Sequence, residues 1–348
     1  MLIGFFVNDM AKEHPRFTTT ILAHEAVKRG HRVCYILPGD FMLSPDDTLR
    51  VHARFAPDKK QRSSDQFFKD MQAVAGESEL IDIADLDVLM LRSDPSLDAQ
   101  ETPWAADIGI LFGRAAAARG VIVLNDPDSL SLAINKLYFQ SFPETVRAET
   151  LITKFPSDVK EFAKAHGGKI ILKPLQGSGG QSVFMVGSEN ASNMNQMIEA
   201  ITRDGYIIAQ AYVPAAKKGD IRLFLMNGLP LQIDGKYAAL RRVASKDDIR
   251  SNIHAGGTAE AVEIGKTELR VAEIIRPKLL ADGMFLVGID IVGDKILEVN
   301  VFSPGNLGSC SRLAGVDFAR PIIDSLERKA QIASDYAHAF DNRHLAVL

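Results

Sequence analysis

The stretch MFLVGIDIVGDKILEVNVFS, residues 284–303, sets two apolar, β-branched runs on either side of Gly293 and Asp294. Such runs around a glycine-containing turn signal read as a β-hairpin. Three oxygen-bearing side chains interrupt the apolar pattern: Asp290, Glu298 and Asn300. Glu298 and Asn300 are two apart, so they share one face of a strand. Asp290 joins that face only if the loop holds an odd number of residues or the ladder carries a bulge. A plain two-residue turn pairs it with Leu297 instead. Oxygen-only donors of this kind suit Mg²⁺, which keeps waters and substrate phosphates as its other ligands. Spacing alone leaves a second reading open, a half-buried hairpin with its polar residues in water.

Working outward, the chain has 348 residues, enough for two or three packed units. Apolar content of 46% and charged content of 24% are those of an ordinary globular protein. A net charge of −4 gives no electrostatic footprint for nucleic acid or an anionic membrane. The two cysteines, Cys34 and Cys310, lie far apart and form no metal-type pair, which points to a reducing cytoplasm. The apolar run 2–7 is short and soon followed by Asp9 and Glu13, unlike a secretory signal. No stretch approaches the roughly 20 apolar residues that cross a bilayer.

Upstream of the hairpin, residues 2–7, 33–37, 87–91 and 121–124 read as buried strands. Helices at 21–30 and 104–119 lie among them, which is the βαβ pattern of a parallel sheet. The polar segment 56–76 reads as a surface excursion. Arg92, Ser93 and Asp94 follow a strand directly, where ligands bind in open α/β sheets. A helix over 129–142 is expected to carry Lys136. Strands 150–154, 169–173 and 182–186 with helices 157–166 and 193–203 form a small α+β unit, with Ser157 as a candidate N-cap. Strand 206–212 leads into the last unit. That unit holds a hairpin of 221–226 with 231–236, a polar loop at 250–258, and helices at 269–282 and 318–332. The expected division is an N-terminal parallel α/β domain (1–125), a central lid (126–205) and a C-terminal α+β domain with an antiparallel sheet (206–348).

Two clusters carry chemistry. The loop Gly177, Ser178, Gly179, Gly180 lets backbone N–H groups approach phosphate oxygens that side chains otherwise block. It is no Walker A loop, lacking a closing Gly-Lys-Ser/Thr, and no dinucleotide fingerprint, because it lies between strands. Lys136, Lys173, Arg222 and Arg242 fall at or near the ends of expected elements. Cations beside a glycine loop and an acidic hairpin supply what phosphoryl transfer needs: positive clamps, a divalent metal and a mobile cover. The histidines show no metal-like spacing, and no acyl-enzyme motif appears. Direct transfer between bound reactants is therefore favoured over covalent catalysis by a side chain.

Several segments together resemble the bacterial-type glutathione synthetases of the ATP-grasp superfamily. They are Ile171 to Leu175 with Gly177 to Gly180, Ala209 to Pro214, Gly219 to Arg222, Asn252 to Gly257, and Val287 to Asp290 through Asn300. Arg92 to Pro95 and Asn125 to Pro127 resemble first-domain signatures of that family. The resemblance implies an ATP-grasp fold with ATP between lid and C-terminal domain. It implies that Lys136, Lys173 and Gly177 to Gly180 meet the phosphates, and that Gln210, Tyr212 and Val213 line the adenine slot. Asp220 is implied at the ribose, and Asp290, Glu298 and Asn300 at Mg²⁺, or Mn²⁺ in its place. Arg222 and Arg242 are implied at an acyl phosphate, with Arg92, Asp94, Asn252, Gly256, Gly257 and Ser303 on the substrate side. The implied reaction joins γ-glutamylcysteine and glycine at the expense of ATP, in a cytoplasmic homo-oligomer that takes no nucleic acid or membrane partner. Gly305 to Ser309 resembles the Ser-Pro-Gly loop of other ATP-grasp amino-acid ligases. A ligase joining another carboxylate and amine is therefore the alternative, with a non-catalytic nucleotide-binding protein behind it.

Overall fold

Among the described residues, apolar strands separated by amphipathic helices assemble into three principal sheets and one two-stranded ribbon. The computed structural model describes residues 1–58, 62–177, 182–187, 191–243, 257–337 and 339–348. In the first sheet, strand Leu2–Phe6 lies parallel to Arg32–Ile36 on one side and Val88–Leu91 on the other; Ile122–Leu124 extends it, also parallel. All residues of Leu2–Phe6 and Val88–Leu91 are buried, as parallel strands covered on both faces require. The second sheet is antiparallel, in the order Phe184–Val186, Ile170–Pro174, Ile207–Ala211, Thr150–Thr153. Helices Pro156–Ala165 and Met194–Thr202 close its core through Val159, Ala163, Ile198 and Ile201. The third runs Thr258–Glu260, Ala239–Val243, Asp220–Met226, Leu286–Val292, Lys295–Asn300.

The hairpin question resolves in favour of a bulge. Val292 faces Lys295 across the two-residue turn and Ile291 faces Ile296, yet Asp290 faces Glu298 and Gly288 faces Asn300. Leu297 is the extra residue. The bulge puts Asp290, Glu298 and Asn300 on one face.

Other expectations are corrected. Residues 56–76 are not wholly a surface excursion: Ser64–Ala73 is a helix that buries Phe67 and Met71. Strands Phe41–Leu43, Leu49–Phe55 and Glu79–Asp82, which were not expected, extend the first sheet antiparallel. The helix expected over 129–142 divides into Pro127–Leu132 and a 3₁₀ segment, Lys136–Ser141, whose first residue is Lys136. Asn135 caps that segment by accepting the Leu137 N–H. Ser157 is not an N-cap; it lies inside helix Pro156–Ala165. Strand Ile207–Ala211 is an inner strand of the second sheet rather than the start of the third. The hairpin through Asn227 and Gly228 is shorter than expected, pairing Leu225 and Met226 with Pro230 and Leu229, and Asp220–Met226 has Ala239–Val243 and Leu286–Val292 as its main partners.

The C-terminal segment returns to the first sheet. Arg29, the C-cap of helix Thr18–Lys28, meets Asp324 on helix Ala319–Asp335 at 2.5 Å. Asn342 exchanges both hydrogen bonds with the free edge of Val123, at 2.7 and 3.0 Å. That side chain ends the sheet as a further strand would.

Candidate active site

Lys173 closes strand Ile170–Pro174, and Gln210 lies on the neighbouring strand Ile207–Ala211. The Lys173 ammonium donates to Gln210 Oε1 at 3.2 Å, and Gln210 in turn donates to Thr150 Oγ1. Lys136 begins its 3₁₀ segment pinned by its own N–H to the Leu175 carbonyl, and its Nζ donates to the Gly177 carbonyl at 2.5 Å. Both lysines line a cavity of about 140 Å³ with Glu298 and Asn300 opposite them. Asp94, Gly177, Gln210 and Ser303 are among its other polar lining residues. The apolar wall includes Ile134, Phe139, Ile208 and Leu297.

The electrostatics follow from burial. Burial pushes the Lys173 amine down to about 8; Glu298 opposes that and Lys136 adds to it. Lys136 is lowered by the same desolvation, opposed by Glu298 and Asp94. Among the described residues Glu298 has neither hydrogen bond nor ion pair. Two ammonium groups and an uncompensated carboxylate thus face one cavity, a combination suited to phosphates and a cation.

Beside the cavity lies a buried quartet. Asp290, 2% exposed, accepts Arg222 Nε at 2.5 Å and Nη2 at 2.9 Å, a bidentate fork, and Arg242 Nη2 at 2.7 Å. Asp220 accepts Arg242 Nε at 2.8 Å and Nη2 at 2.5 Å. Burial pushes the Asp290 carboxyl up, but Arg222 and Arg242 outweigh it and hold it near about 2. The register explains the quartet: Asp220 faces Arg242 across one ladder and Arg222 faces Asp290 across the other.

The expected site residues therefore separate. Lys136, Lys173, Gly177, Gln210, Glu298, Asn300, Asp94 and Ser303 converge on the cavity. Asp290, Asp220, Arg222 and Arg242 hold one another behind it. Tyr212 takes Lys169 over its ring at 4.1 Å, and Val213 precedes the 3₁₀ segment Pro214–Lys218; neither lines the cavity. Asp94 caps helix Pro95–Glu101 by accepting the Ser96 N–H. Arg92 is buried, donating to Thr19 Oγ1 at 3.3 Å and the Pro304 carbonyl at 3.1 Å. Gly257 leads into strand Thr258–Glu260, away from the lining. Ser178, Gly179, Gly180, Asn252 and Gly256 lie outside the described residues.

One contributor was missed as a side chain. Asn125 ends the first sheet, accepts the Leu286 N–H at 2.9 Å and donates to the Leu286 and Val301 carbonyls. It clamps both strands of the hairpin. In sequence Asn125 to Pro127 read as a domain boundary and as a first-domain signature of the resembled family, with no role for the Asn125 side chain. The apolar wall was also missed, because such residues give no signal beyond that of a core.

Residues 1–131 match the N-terminal domain of prokaryotic glutathione synthetases, and residues 135–315 match the ATP-grasp domain of the same family. The chain belongs to the prokaryotic glutathione synthetase family. It is similar to the glutathione synthetase of Vibrio parahaemolyticus, 31% identical over 309 residues, covering 88% of this chain and 91% of the relative. The glutathione synthetase of Escherichia coli (strain K12) is 33% identical, with the same coverage of each chain. Among solved structures, the D-cycloserine synthetase DcsG superposes with a TM-score of 0.59 at 15% identity, covering 93% of this chain and 99% of that one. The ATP-grasp ligase PsnB, complexed with minimal precursor, gives 0.57 at 19%, covering 93% and 98%. These two likenesses show the ATP-grasp fold. Family membership makes the chain an ATP-dependent carboxylate–amine ligase of the glutathione-forming type. Among the described residues no helix is long and apolar enough to cross a membrane.

Proposed function

We propose that this glutathione synthetase family member joins γ-glutamylcysteine to glycine in the cytoplasm, with ATP held in the cavity between Lys173 and Glu298. The observation that carries the site assignment is Glu298: an unpaired carboxylate facing two lysines whose charge it helps to hold. The donor set fits Mg²⁺. Glu298 is uncompensated, and Asn300 directs its Nδ2 to the Gly288 carbonyl and Asp290, leaving Oδ1 for a cation. Glu298, Asn300 and, on the same face, Asp290 would hold the ion. When bound, Mg²⁺ neutralises charge on the phosphates and orients them.

The chain's own residues supply the rest. Lys136 and Lys173 hold the phosphates in place, and Gln210 fixes the Lys173 ammonium. The substrate carboxylate attacks the γ-phosphorus of ATP, releasing ADP and leaving an acyl phosphate. Arg222 and Arg242 bear on the charge that develops there. The amine attacks the acyl carbon, the C–O bond to phosphate breaks, and the amide forms as phosphate leaves. Residues 126–205, as the lid, keep water from the acyl phosphate between the two steps.

The test is ADP release by purified protein given ATP, Mg²⁺, γ-glutamylcysteine and glycine. Release that needs both substrates supports the assignment; none above background in a nucleotide-binding preparation refutes it. A second reading, a different amine, has one support. Pro304 and Gly305, in the loop that departs from the family, are held by Arg92 and Arg222 beside the site. Turnover with another amino acid and none with glycine selects it.

A further inference from the structure

Two of the three oxygen donors on the hairpin are available to a cation, and the third is not. A carboxylate offers about four lone-pair directions. On Asp290 these are taken by Arg222 Nε and Nη2, Arg242 Nη2 at 2.7 Å, and Asn300 Nδ2 at 3.5 Å. The two arginines are not equivalent. Arg222 grips both oxygens in a fork, and its other contact is the Gly305 carbonyl at 3.4 Å. Arg242 gives Asp290 one N–H and holds Asp220 with two bonds. If Arg242 releases Asp290, its guanidinium keeps a buried carboxylate partner. If Arg222 releases it, no second acid among the described residues takes it up. Leaving a buried charge without a partner is the expensive outcome, so Arg242 is the group that can let go.

Building on the nucleotide–metal reading above, we propose that Asp290 is an exchange carboxylate. Arg242 occupies its Oδ2 in the empty enzyme. When that oxygen turns to the cation, Arg242 stays on Asp220 with one N–H released from the carboxylate. Arrival of the nucleotide's metal thereby arms the cationic clamp through one shared oxygen. The metal ligand and the charge-stabilising arginine are coupled, not independent parts.

The test reads metal binding and the arginine, not turnover. Mn²⁺ affinity is measured by electron paramagnetic resonance in the presence of ADP, for wild type and Arg242→Lys. Lysine keeps the charge but cannot bridge two carboxylates with a fork. Removing the competitor should therefore tighten Mn²⁺ by about tenfold, the scale of one charge-assisted hydrogen bond. In wild type, ¹⁵N-arginine side-chain spectra should show the Arg242 signal, identified by its loss in the variant, moving on saturation with Mg²⁺ and ADP. A signal that stays in place at saturation refutes the exchange whatever the variant does. Absence of any Mn²⁺ binding with ADP refutes the nucleotide–metal reading instead.

Discussion

Affinity for ADP, measured without metal in the presence of EDTA, should fall about 25-fold between pH 7.5 and 9.5, and Lys173 should account for it. Burial lowers this amine to about 8 in the empty protein. Phosphate contact keeps it protonated when nucleotide is bound, so binding at high pH must take up a proton. The apparent dissociation constant then scales as 1 + 10^(pH − 8), which rises from about 1.3 at pH 7.5 to about 33 at pH 9.5. Isothermal titration across that range reads it directly. Loss of fold is not a confounding cause from this residue. A lysine held below its ordinary 10.5 binds fewer protons folded than unfolded, so its penalty on the folded state is full below pH 8 and fades as pH rises to 10.5. Lys173→Arg stays charged throughout and should flatten most of the dependence, leaving the smaller contribution of Lys136. A flat wild-type profile, or an unchanged slope in Lys173→Arg, refutes the placement of this ammonium against phosphate.

Four further outcomes are expected. Glu298→Ala should abolish ADP release while leaving the thermal midpoint near wild type, since no described hydrogen bond depends on it; retained turnover contradicts its role. Gly219→Ala should lower the unfolding free energy by at least about 2 kcal/mol and remove activity. Gly219 has φ +83°, and a Cβ there collides with the Arg242 carbonyl. Asn125→Ala should lower stability in urea by about 1–3 kcal/mol by stranding the buried Leu286 N–H and two carbonyls; an unchanged midpoint removes it as the clamp. Glu13 is pushed up from 4.5 to about 7, by burial first, against Thr20 and Arg92. Its stabilising contribution is present below pH 4.5 and lost as pH rises through 7. Glu13→Gln should therefore gain thermal stability over wild type between pH 5 and pH 8, and an equal difference at both would falsify the shift.

The parallel strands were legible because burial on both faces leaves unbroken apolar runs, as in Leu2–Phe6 and Val88–Leu91. The cavity residues were legible because charges at strand ends need partners, and Glu298 opposes the lowering of the buried Lys173 amine. What sequence could not give was competition. Arg222, Arg242, Asp220 and Asp290 each read as ligand-facing. Only the ladders, Asp220 against Arg242 and Arg222 against Asp290, show that they satisfy one another. Leu49–Phe55 was missed for a different reason. Leu49, Val51, Ala53 and Phe55 alternate strictly with Arg50, His52 and Arg54, the period of a half-buried strand, so the signal was present and was passed over beside the polar segment that follows.

The bulge at Leu297 was within reach of sequence reading, and its cause is polar burial rather than turn chemistry. With a two-residue loop and no bulge, Ile289 would face Glu298 and Val287 would face Asn300, placing both polar side chains on the face of Ile289 and Ile291, in the apolar core with Val271 and Ile275. Two unpartnered polar side chains there cost several kcal/mol, on the order of 1–3 each. An extra residue costs one disrupted ladder step. The apolar positions record that choice: Ile296, Val299 and Val301 all pack on the core, yet the first two are three apart, an odd gap that alternation forbids. The same inserted residue that keeps the core apolar brings Glu298 opposite Asp290. Packing of the hydrophobic face and assembly of the oxygen donors therefore have one structural cause, and neither can be changed without the other.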